Sequence, residues 1–109
     1  MTLPVLQVDQ QLSAIIGFAC KSQQMVRGYK AVQKALEKKQ ISLVIFHHET
    51  SQGTIDKLRK VSDREKTIFA STAPKTDWLR FWGIPSHKIL GVVTGELARN
   101  IIQKVRAGE

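Results

Sequence analysis

The sequence predicts an α/β protein: a three-layer α/β/α sandwich on a central mixed four-stranded sheet. Two observations point there. Apolar stripes of helical period alternate regularly with strand-length apolar runs, the pattern of a sheet covered by helices on both faces. The run from Ile41 to Phe46 is apolar and β-branched, which suits a strand buried on both sides. At 109 residues, the length is that of one domain.

Residues 1–9 read as a short tail, with Pro4 marking it as non-helical, and 10–109 as the single domain. Leu12, Ile15, Ile16 and Ala19 recur at helical spacing and predict a first helix. Met25-Val26-Arg27 reads as a short strand ended by Gly28. Gly28 to Lys39 predicts a second helix, with Val32, Ala35 and Leu36 inward and Lys30, Lys34 and Lys38 on one polar ridge. After the Ile41–Phe46 strand, His47 to Gly53 forms a polar loop. Thr50 or Ser51 can cap a third helix over roughly Gln52 to Ser62. Thr67 to Ala70 is the next strand. Thr76 can cap a short helix carrying Trp78, Leu79 and Trp82, closed by Gly83. Ile89 to Val93 is the last strand. Thr94 is the expected cap of a final helix with Leu97, Ala98, Ile101, Ile102 and Val105 inward.

Charge narrows the function. Lys and Arg number 17 against 9 Asp and Glu, a net charge of +8 with pI near 10.0. That surplus favours a polyphosphate partner or an anionic surface. No apolar run approaches the roughly 18 residues of a membrane span, and no early Lys or Arg precedes an apolar run as in a secretory signal. A lone cysteine, Cys20, excludes an internal disulfide framework and points to a reducing, cytoplasmic setting.

Catalytic signatures are missing from the sequence. It has no G-x-G-x-x-G, no G-x-x-x-x-G-K, no C-x-x-C and no H-x-x-x-H. His47 and His48 sit together at a strand end, where neighbouring side chains point to opposite faces, so no shared metal is expected. Cys20 reads as a buried, inert thiol and Glu49 as a helix-capping carboxylate rather than a base. His87 reads as a loop residue, either solvated or touching a partner. The expectation is a protein that is not an enzyme and carries no cofactor.

What stands out is basic. Lys21, Arg27, Lys30, Lys34, Lys38 and Lys39 surround the second helix, with Glu37 the single acid among them. A helix start offers backbone N–H groups to phosphate. Gly28 permits close approach, and Tyr29 provides a ring on which an unpaired base can stack. A solvated lysine face that serves solubility explains the same residues equally well. Trp78 and Trp82, at i and i+4, read as packing rather than a base platform.

The stretches Ile16-Gly17-Phe18-Ala19-Cys20-Lys21, Met25-Val26-Arg27-Gly28-Tyr29-Lys30-Ala31-Val32-Gln33-Lys34-Ala35-Leu36 and Leu43-Val44-Ile45-Phe46 together resemble a known family. It is the YlxQ-like bacterial branch of the kink-turn-binding ribosomal proteins, of the L-seven-Ae and L-thirty-e type. The loop from His48 to Thr54 and the ending Val92 to Ala98 resemble it too. The resemblance spans about Asp9 to Arg106 and implies an L-thirty-e-like fold. It also implies non-enzymatic binding of structured RNA (ribosomal RNA or a kink-turn) by a ribosome- or translation-associated monomer. Three loops supply the contacts in that family. By position they correspond to Gly28, Tyr29, Lys30 and Lys34, then Glu49 and its neighbours, then Ile84, Pro85 and Ser86. Lys21 and Arg27 join them as phosphate-neutralising charges.

One departure bears on specificity. Strong kink-turn binders read guanine edges with an Asn-Glu pair, and Lys30 and Ala31 stand there. Lys30 can donate to guanine acceptors; the Ala31 side chain cannot hydrogen-bond. Two other functions fit the resemblance: a protein-interaction module using Trp78, Phe81 and Trp82, and a stand-alone relative of an RNA methyltransferase substrate-binding domain.

Overall fold

A computed structural model describes residues 3–6, 10–62, 67–72 and 89–107. In chain order the elements are β1 (Val5–Leu6), α1 (Gln10–Lys21), β2 (Met25–Arg27), α2 (Tyr29–Glu37) and β3 (Ile41–Phe46). They continue with α3 (Gln52–Val61), β4 (Ile68–Thr72), β5 (Ile89–Val93) and α4 (Glu96–Ala107). The strands form one mixed sheet in the order β1-β4-β3-β5-β2. β4 runs parallel to β1 and β3, while β5 is antiparallel to β3 and β2.

Two buried clusters, one on each face, make the expected three layers. Leu12 and Ile16 of α1 and Ala98 and Ile101 of α4 pack on Leu43, Ile45, Ala70, Leu90 and Val92. On the other face, Val32, Ala35 and Leu36 of α2 and Ile55 and Leu58 of α3 pack on Val44, Phe46, Phe69 and Ile89. β3 feeds both clusters because alternate side chains point to opposite faces. Ile41 breaks the alternation and joins Val44 and Phe46. A register shift between Ile41 and Leu43 against Val93 and Val92 inserts one extra residue and turns Ile41 over.

The sheet has five strands, not the expected four. Val5 and Leu6, read as tail, pair with Ser71 and Thr72, and the Ser71 amide donates to the Pro4 carbonyl at 3.0 Å. Leu6 is only 1% exposed, and such burial is worth about 1.5–3 kcal/mol. That gain offsets the ordering of a two-residue strand.

Ser51 caps α3, its side chain accepting from the Thr54 amide. Thr94 does not cap α4. Its hydroxyl accepts from Ser42 at 2.7 Å, and the Gly95 carbonyl takes the first helical bond, from Arg99. The expected helix around Thr76 to Gly83 lies outside the described residues. Among the described residues, no helix is long and apolar enough to cross a membrane.

Candidate nucleic-acid interface

Strand directions decide which loops meet. Arg27 pairs with Leu90, and Phe46 pairs with both Ile89 and Ser71. The C-terminal ends of β2, β3 and β4 therefore share one end of the sheet with the first residue of β5. The start of α2 and the His47–Ser51 loop both lie there.

Gly28 sets the helix start. Its amide donates to the Ile89 carbonyl at 3.1 Å and its own carbonyl accepts from Val32 at 3.0 Å. Its φ of 93° and ψ of 158° give no side-chain cap, and no acid lies in the first turn of α2. The dipole and the first-turn N–H groups thus face this edge with no acidic side chain in the helix's own first turn. Lys30 and Lys34 are exposed one turn apart. Among the described residues neither makes an ion pair. Tyr29 is half-buried and packs on the α2–α3 cluster, so only part of its ring remains for a base.

The other basic residues separate. Lys21 belongs to the far end of the sheet, where the Val93 amide bonds the Gln24 carbonyl and the Thr94 amide bonds the Gln40 carbonyl. Lys38 and Lys39 end α2 at that same far end. The backbone distance is about 13 Å along five residues of β5. Arg27 is at the near end but on the other face: strand alternation puts it with Met25, which packs on the α1–α4 cluster. There its charge acts on Cys20. Burial pushes the Cys20 thiol up from its ordinary value, and Arg27 partly opposes this. The thiol donates to the Met25 sulfur at 3.4 Å.

The second loop differs from expectation. β3 stops at Phe46, so His47 and His48 are not strand neighbours on opposite faces. The chain turns instead, with the Thr50 amide on the His47 carbonyl at 2.9 Å. The two imidazole rings lie side by side, centroids 4.2 Å apart. The Glu49 amide donates to His47 Nδ1 at 3.2 Å. The Glu49 carboxylate, 70% exposed, lies 3.5 Å from His48 Nε2. It caps nothing, since Ser51 does so. The strand end at Phe46 and the loop from His47 are as expected; what fails is the extension of strand alternation to His47 and His48. Ile84, Pro85 and Ser86, like Trp78, Phe81, Trp82 and His87, lie outside the described residues.

Fold and edge together define a class: a small α/β/α module that gathers a helix start and loop segments at one end of its sheet. The family model for the Ribosomal protein L7Ae/L30e/S12e/Gadd45 family matches residues 10–79, and the chain belongs to that family. Two solved structures share the fold. One, a protein of unknown function from Bacillus halodurans, has a TM-score of 0.74 at 21% identity. The similarity covers 90% of this chain and 99% of that one. The other, a 15.5 kD RNA binding protein from Giardia lamblia, has a TM-score of 0.69 at 13% identity, covering 94% and 93%. No curated protein matches the chain significantly.

Proposed function

We propose that the chain binds structured RNA without catalysing a reaction, through the sheet end that carries the α2 start. The observation behind this reading is the tethered, acid-free start of α2 at Gly28, flanked by exposed Lys30 and Lys34. Backbone N–H groups meet a phosphate there and the two lysines neutralise its neighbours. Family membership supports the reading, and so does the RNA-binding protein of Giardia lamblia that shares the fold. Tyr29 and Glu49 belong to the proposed surface, and so by the family resemblance do Ile84, Pro85 and Ser86; Arg27, on the other face, and Lys21, at the far end, would need further contact regions. The finer proposal is a YlxQ-like, cytoplasmic, translation-associated monomer whose target is ribosomal RNA or a kink-turn.

Titration of the protein against a kink-turn RNA and a matched simple duplex, over a salt series, tests this. Steeply salt-dependent binding is expected for both, with little preference, because Ala31 presents no base-reading group. No binding to either RNA at low salt would overturn the proposal in favour of a protein partner.

A further inference from the structure

We propose that His47, His48 and Glu49 form a binding site for one borderline divalent cation of the zinc, nickel and copper group. Two imidazoles and a carboxylate are the donor set such ions prefer, and one that magnesium does not. One ligand atom from each of the three residues lies within 4.8 Å of the others. The turn that produces this is fixed on both sides, by the last residue of β3 and by the Ser51 cap of α3.

The spacing between His48 and Glu49 is informative. His48 Nε2 and Glu49 Oε1 are 3.5 Å apart. A charge-assisted hydrogen bond would be about 2.7–2.9 Å. Two ligands bound at about 2.0–2.1 Å on a tetrahedral ion sit about 3.3 Å from each other. The pair is therefore too far apart for a good ion pair and near the distance an intervening cation sets. On its other side His48 Nδ1 is buried and has no hydrogen-bond partner among the described residues, so no second bond there commits the ring. His47 completes the set. Its ring is already beside His48, with Nδ1 accepting from the Glu49 amide at 3.2 Å, a bond that is given up if that nitrogen ligates. Three protein ligands leave a fourth position open, as in zinc sites that keep an exchangeable partner.

The test is a calorimetric titration of metal-free full-length protein with zinc chloride, with no RNA present, while histidine ring protons are followed by NMR. Its failure therefore leaves the RNA reading standing. One-to-one saturable binding is expected, with shifts at the His47 and His48 rings and no competition from excess magnesium. Glu49→Gln, on an exposed side chain, and His48→Ala should each weaken zinc at least about tenfold, the low end of what even supporting groups cost. Cys20→Ser should leave it unchanged. Thermal melts of each variant separate lost ligands from lost fold. Absence of saturation, shifts confined to other residues, magnesium competition, or unchanged affinity in folded Glu49→Gln and His48→Ala would each overturn the site.

Discussion

The Gly28 amide and the Ile89 carbonyl share a hydrogen bond of 3.1 Å, which pins the start of α2 to the first residue of β5. The bond requires the backbone of Gly28 at φ 93° and ψ 158°, a region essentially confined to glycine. A Cβ there would meet nothing within 4 Å, so the constraint is torsional and not a clash. Gly28→Ala should cost about 1–3 kcal/mol in denaturant unfolding. Gly28→Asn should give no rescue, because the left-handed region Asn tolerates has ψ near 47°. Wild-type stability in either variant would contradict this role.

Gly91 is needed for a different reason. A Cβ at this position would lie 2.5 Å from Ile41 Cδ1 and 3.4 Å from Val32 Cγ2. The bulge in β3 is what turns Ile41 toward it. Gly91→Ala should destabilise the protein by about 1–3 kcal/mol through overpacking. Ile41→Val removes the clashing methyl group, so the double variant should be more stable than the sum of the single changes predicts. Strict additivity in the double-mutant cycle would show that the two side chains do not compete for this space.

How much of this was legible in the sequence depends on how local the cause is. The inward faces of α2 and the burial of Phe46 follow from periodicity and composition, and both are found. The Val5–Leu6 strand has no period to read, since two residues become a strand only by pairing with Ser71 and Thr72. The basic cluster is contiguous in sequence, yet three residues of β2 suffice to send Lys21 and Gly28 to opposite ends of the sheet. The side-by-side histidines were missed because strand alternation was carried past Phe46 into the loop. Thr94 looked like a cap, but its hydroxyl is held by Ser42, 52 residues away in sequence. Only tertiary contact could disclose that.

Cys20 offers a pH-dependent check on the α1–α4 face. Burial raises the thiol above its ordinary value of 9.0, against the pull of Arg27. The folded protein thus holds this proton more tightly than the unfolded chain does. The thiol's contribution to stability is complete below pH 9 and is lost as pH rises through the folded value. Alkylation at pH 8 should be slower than for a free thiol, and Arg27→Ala should slow it further by removing the opposing charge. Faster alkylation in Arg27→Ala, with the melting curve unchanged, would place Arg27 elsewhere.

The central claim is that RNA meets the start of α2 and not its end, and the salt dependence of binding separates the two. The double variants to compare are Lys30→Ala with Lys34→Ala, and Lys38→Ala with Lys39→Ala. Each phosphate contact contributes about 0.9 to the slope of log K against log salt on a duplex. The first variant should flatten the slope by about 1.8 if both lysines neutralise phosphates, and weaken binding uniformly across sequences. The second should leave slope and affinity near wild type. An unchanged slope for Lys30→Ala with Lys34→Ala, or an equal loss in both variants, would contradict binding through this edge.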